Sequence, residues 1–144
     1  MSGPRETAIG ALLTLVTNAY AWTSAPSRRL KLWGDVPLAN RPACFLFEGG
    51  QEAYEWQRSP DPKRTIEVRL FIYVNAKDPT LVGSSQLNDI MDALDAALAP
   101  SAGQPMQNLG GAAYWARIAA TPFKDPGDLD GDGLLIVPIK ITLP

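Results

Sequence analysis

One segment limits the possible folds more than any other. From Thr65 to Asn75 the chain alternates without a break: Ile66, Val68, Leu70, Ile72 and Val74 fall on one side, and Glu67, Arg69, Phe71 and Tyr73 on the other. A period of two belongs to a β-strand, whose successive side chains point to opposite faces. At about 3.3 Å per residue the segment reaches on the order of 36 Å, which is long for a strand. Such a strand is expected to be central, and its wholly apolar face needs a cover.

Two amphipathic segments can supply that cover. Ile9, Leu12, Leu13, Val16 and Tyr20 recur at the 3.6-residue period of a helix. Pro4 suits a first turn capped by Ser2 or Gly3, and the turn-forming run Thr23–Ser27 predicts an end near Trp22. A second helix is predicted from about Gly83 to Leu98, with Ser84 or Ser85 as cap and Leu87, Ile90, Met91, Leu94, Ala97 and Leu98 as its apolar stripe. Further strands are predicted at Arg29–Trp33, Ala43–Glu48, Gln51–Arg58, Ala112–Ala120 and Leu134–Leu143, with a loop at Thr121–Gly133. Ala43–Glu48 is nearly all apolar, as in a strand covered on both faces. Pro138 lacks an N–H, so the last strand is expected to be an edge strand or to carry a bulge. The fold class is α+β: one mostly antiparallel or mixed sheet of four to six strands packed with two helices, a single domain over residues 1–144. That length suits one domain with a core of its own.

Composition removes whole classes of chemistry. The chain has no histidine and one cysteine. Catalysis by Ser-His-Asp or Cys-His arrangements, His-ligated zinc, Cys-cluster metal sites and intramolecular disulfides are therefore excluded. A net charge of −2 argues against a dedicated nucleic-acid binder, which carries a basic excess. The opening residues lack a signal-peptide pattern, and the apolar stretch Ala8–Val16 is too short to span a bilayer. The expectation is a soluble protein made in a cytoplasm, with no cofactor. The glycine pairs at 49–50 and 110–111 lack phosphate-loop spacing, and Cys44 reads as a small buried hydrophobe.

Four groups remain as candidate sites. Asp128, Asp130 and Asp132 open like an EF-hand loop, but the twelfth position is Ile139 instead of glutamate and no helix follows. The reading is a hairpin turn rich in local hydrogen bonds, with divalent binding at a subunit boundary as the weaker alternative, Asp125 adding charge. Asp89, Asp92 and Asp95 line the second helix away from its apolar stripe, with no basic residue between Gly83 and Leu98. They read as a solvated face or a docking surface for a neighbour's arginines. Arg28 and Arg29 head the one compact basic run, too thin for a nucleic-acid patch and read as strand-edge or interface residues. Tyr54, Trp56 and Arg58 fall in a polar, loop-rich stretch and read as contact residues, with capping of the core as the equal alternative for the two aromatics. Residues 1–75 hold nine Lys/Arg against seven Asp/Glu, and residues 76–144 four against eight. That polarity of +2 against −4 suits head-to-tail association.

The ordered segments resemble a known family. They are the N-terminal helix, Ser27-Arg28-Arg29, Pro42-Ala43-Cys44-Phe45-Leu46-Phe47-Glu48, Pro62-Lys63-Arg64, the strand end Phe71-Ile72-Tyr73-Val74, Leu87-Asn88-Asp89-Ile90-Met91-Asp92-Ala93-Leu94, Asn108-Leu109-Gly110-Gly111 and Val137-Pro138-Ile139-Lys140-Ile141. Together they are similar to the tail terminator (minor tail protein U-like) family of long-tailed bacteriophages, over essentially the whole chain. The resemblance implies an α+β virion protein without enzymatic activity, assembled in the host cytoplasm. It implies a ring of its own copies, commonly a homohexamer, on the head-proximal end of the tail tube. Its implied partners are itself, the major tail tube protein and the head–tail connector or stopper protein, with DNA passing through the lumen without sequence readout. No membrane is involved. A head–tail joining or tail completion protein is the alternative within the virion, and a small divalent-ion-dependent α+β enzyme or ligand-binding domain the more distant one.

Overall fold

A computed structural model describes residues 3–56, 60–78, 80 and 82–144. The elements run α1 (Pro4–Ala19), β1 (Ala43–Phe47), β2 (Glu52–Glu55), β3 (Lys63–Asn75), α2 (Gly83–Ala97), β4 (Trp115–Ile118), β5 (Phe123–Asp125) and β6 (Asp132–Thr142). All strand pairs are antiparallel and form one six-stranded sheet. The α+β class expected from the sequence is the class observed.

β3 and β6 are the spine, paired without a slip from Thr65 opposite Thr142 to Asn75 opposite Asp132. Each is flanked by a strand in two pieces. β1 ends with Phe47 opposite Arg69, and β2 resumes with Glu52 opposite Ile66, so four residues of the flank span two of β3. On the other side β4 ends with Ile118 opposite Ile139 and β5 resumes with Phe123 opposite Ile136, again four against two.

The alternation in β3 sorts the two sheet faces. Ile66, Val68, Leu70, Ile72 and Val74 are buried beneath the helices together with Cys44, Leu46, Leu135, Val137, Ile139 and Ile141. From α1 come Ala8, Ile9, Leu12 and Val16, and from α2 Leu87, Ile90 and Leu94. Each such leucine, isoleucine or valine gains roughly 1.5–3 kcal/mol on leaving water. At one end of the opposite face, Val36 and Leu30 from the segment before β1 cover Ala43, Phe45 and Tyr73.

Several local expectations are corrected. α1 stops at Ala19, not Trp22, because Tyr20 is extended and Trp22 folds back so that its indole N–H donates to the Val16 carbonyl (2.9 Å). Arg29–Trp33 is not a strand. The chain bridges to the β1 backbone at Ser27, then turns away through single 3-10 turns at Trp33–Asp35 and Leu38–Asn40, leaving Leu32 70% exposed. Two alternating leucines were too weak a pattern, since only Leu30 finds a core to join. β2 occupies Glu52–Glu55 of the predicted Gln51–Arg58. β4 is shorter than Ala112–Ala120, because a turn at Leu109–Gly111 with left-handed Gly110 precedes it and left-handed Ala120 follows.

The predicted loop Thr121–Gly133 contains β5. α2 has Val82 at its N-cap with no side-chain cap, in place of Ser84 or Ser85. Gly83 begins that helix because a Cβ there would lie 2.2 Å from the Pro126 carbonyl oxygen. β6 is an interior strand, not an edge, and its ladder with β3 carries no bulge. Pro138 is accommodated by the interruption beside it. Its carbonyl accepts from Ala119 N–H (3.0 Å) on the flanking side. Its nitrogen points the same way, into the gap between β4 and β5, so the β3 ladder loses no donor.

Candidate functional site

Arg41 organises one end of the sheet. Its guanidinium is almost fully enclosed and donates to Asp132 Oδ1 (2.6 Å), to the carbonyls of Trp33 (2.6 Å) and Val36 (3.1 Å), and at longer range to Val74 (3.4 Å). A buried guanidinium is tolerable only when so many of its donors are satisfied. Asp132 is therefore held by an internal cation. Asp130 Oδ1 accepts from Asp132 N–H (2.9 Å), Asp125 Oδ1 accepts from Gly127 N–H (3.0 Å), and Lys77 Nζ donates to the Asp130 carbonyl. Gly127 takes φ +77°, where a Cβ would meet the Gly133 nitrogen at 2.6 Å. Asp128 is exposed. These are the local bonds of an Asx-rich hairpin, and among the described residues no three acidic or cysteine side chains are grouped as a metal site requires.

The basic run is not free either. Arg28 is a double clamp, donating to both oxygens of Glu6 (2.8 Å each) and of Glu48 (2.8 Å each). It ties the start of α1 to the end of β1. These hydrogen bonds hold the Glu6 carboxyl below the usual range and push the Arg28 pKa up. Arg5 binds Glu52 Oε1 (2.9 Å) and Oε2 (3.0 Å) and donates to the Tyr54 hydroxyl (2.8 Å), which lowers the Glu52 pKa in the same way. Arg29 is exposed; its backbone N–H donates to Ser27 Oγ. With β3 and β6 side by side, the division of charge along the chain does not become a division in space.

The other candidates lie at the surface. Asp89, Asp92 and Asp95 are all exposed on α2. Tyr54 is 50% and Trp56 69% exposed, at the end where β3 begins, and Arg58 lies outside the described residues. Tyr114, also exposed, sits at that end with Lys63 Nζ over its ring. Leu32, Trp33 and Leu129 are exposed around the opposite end, where Arg41 binds the Trp33 carbonyl. Cys44 is buried under the helices, and that burial pushes its thiol up to about 12.

A third surface went unread in the sequence. Beside the cover over Phe45 and Tyr73, the outer sheet face carries the cross-strand row Phe71, Ile136 and Phe123, with Phe47 two residues along β1 and diagonal to Phe71. Phe47 and Phe71 meet edge to face at 5.9 Å, and Phe123 is 52% exposed. A depression of about 350 Å³ beside them is lined by Glu67, Arg69, Thr121, Phe123 and Pro138. Further along lie Lys140 and Arg117, the latter stacked 4.0 Å over Trp115. The signal was present as phenylalanines at 47 and 71, in phase with the face that Glu67 and Arg69 occupy. What could not be seen was that the segment covering Phe45 and Tyr73 reaches Phe71 but leaves Phe47 37% exposed.

The chain matches no family model and no curated protein. Among the described residues no helix is long and apolar enough to cross a membrane.

Proposed function

We propose that this chain is a virion structural protein of the tail-terminator kind. In this reading it is a ring subunit that caps the head-proximal end of a phage tail tube, stops its growth and presents a surface to the head connector. One observation carries the reading: large apolar side chains are exposed on three separate surfaces. Tyr54, Trp56 and Tyr114 mark one end of the β3–β6 spine, Leu32, Trp33 and Leu129 the other, and Phe47 and Phe123 the outer sheet face. Exposed patches of this kind mark contact surfaces. A ring subunit between tube and connector needs several contact surfaces, one for each stacked neighbour and two unlike ones for the copies on either side. The buried cysteine and the internally paired Arg28, Arg41 and Asp132 suit a scaffold better than a reaction site.

The test is the mass of the purified chain by light scattering, followed by electron microscopy with tail tubes assembled without a terminator. Closed rings that attach to a single end of each tube are expected. A chain that stays monomeric at every attainable concentration and leaves the tube ends bare would overturn the reading.

A further inference from the structure

The outer sheet face and the exposed side of α2 lie on opposite sides of the molecule, because α2 packs its apolar stripe on the inner face. They are opposite in charge. The outer face shows Arg69, Arg117 and Lys140 around the exposed phenylalanines, with Glu67 close to Arg69 (3.7 Å). α2 shows Asp89, Asp92 and Asp95 and the small side chains Ala93 and Ala96 among the acids; no base lies within Gly83–Ala97, and Lys124 of β5, donating to Asn88 Oδ1 (3.0 Å), leaves the acids in excess. Neither surface fits a copy of itself, since like charges would be set face to face. Each fits the other.

We infer that the outer sheet face of one copy docks on the α2 surface of the next, Arg69 and Arg117 meeting the Asp89–Asp95 row while Phe123 covers Ala93 and Ala96. The inference deepens the ring reading and rests on it, naming the surfaces through which copies meet. A contact between two different patches repeats head to tail and yields a closed ring when its rotation closes. Desolvated aromatics at the centre would supply affinity, and the charged rim would set register and partner choice.

Charge exchange tests it. One variant carries Asp89→Lys and Asp92→Lys, the other Arg69→Glu and Arg117→Glu, each first shown by circular dichroism to melt cooperatively. Native mass spectrometry then reads each alone and the two mixed. If the surfaces meet, each variant alone falls to the 15.5 kDa monomer, and mixing restores the ring mass with the two variants alternating. Wild-type rings that survive both reversals overturn the inference and leave the ring reading standing. So does loss of rings that mixing fails to restore. A wild-type monomer overturns both. Should a reversal variant not fold, Asp92→Cys with Arg117→Cys in one chain replaces it. Oxidation then gives a ladder of disulfide-linked multimers if the surfaces meet, and monomer only if they do not.

Discussion

Replacing Asp132 by alanine should cost far more than a surface carboxylate would. The substitution removes the carboxylate that pairs with the Arg41 guanidinium, whose side chain is 3% exposed. Breaking a buried ion pair by removing one member costs about 3–5 kcal/mol, mostly for the charge left behind. Here Arg41 keeps the carbonyls of Trp33, Val36 and Val74 as acceptors, and Asp132 is itself 17% exposed. Both facts lower the figure to about 2–3 kcal/mol. For a chain of this size that is a fall in Tm of about 5–10 °C. Urea unfolding should show a lower midpoint at unchanged m. The double variant Asp132→Ala with Arg41→Met, which removes the orphaned cation as well, should recover part of the loss. A loss below about 1 kcal/mol for the single variant, or a double variant less stable than the single, would refute the account of Arg41 as a cation enclosed by the fold.

Four further outcomes follow from the same geometry. Gly83→Ala, ordinarily favourable in a helix, should destabilise by about 1–3 kcal/mol, because its Cβ would strike the Pro126 carbonyl oxygen; thermal melting reads the sign, and a stabilised variant would contradict it. Cys44 should resist thiol reagents in the native protein at neutral pH and react fully in denaturant, since burial raises its pKa to about 12; rapid native labelling would count against its place under the helices. The folded-state pKa values of Glu6 and Glu52 are depressed by Arg28 and Arg5. The stability they contribute is therefore present above the ordinary glutamate pKa of about 4.3, and it is lost as pH falls through the folded values. Urea midpoints at neutral and acid pH should then differ less in Glu6→Gln/Glu52→Gln than in the wild type, and an equal difference would refute it. Millimolar calcium against a chelator should leave Tm unchanged, because Asp132 already holds Arg41 and Asp130 already accepts a backbone N–H; a rise would reinstate the aspartate loop as a cation site.

The sequence disclosed what repeats and hid what depends on company. Thr65–Asn75 was legible because five buried residues in strict alternation admit no other period. The helices were legible through Leu12, Val16, Leu87, Ile90 and Leu94, whose spacing already matched one core. Arg29–Trp33 was misread because alternation without an available neighbour strand makes nothing, and β1 accepts only Ser27 on its free side. Pro138 was misread because the gap that admits it belongs to another strand. Arg28 and Asp132 looked like surface charges; their partners stand 20 and 22 residues away for the one and 91 for the other. No local spacing rule reaches that far. The exposure of Phe47 and Phe123 is of the same kind, a fact about which segment does not arrive.

The paired interruptions in the flanking strands bear on how such a chain avoids polymerising without end. A sheet with an open, regular border recruits further strands and can add copies indefinitely. Here each border is cut in the middle, one by residues 48–51 and the other by residues 119–122. Ser27 occupies the rim of β1, and Gln107 takes the Ala116 N–H on the rim of β4. What stays open is β2, with four residues, and β5, with three, too short to template a fibril. The breaks thus shut down lateral strand addition and leave side-chain surfaces, whose number is finite, as the ground on which copies can meet.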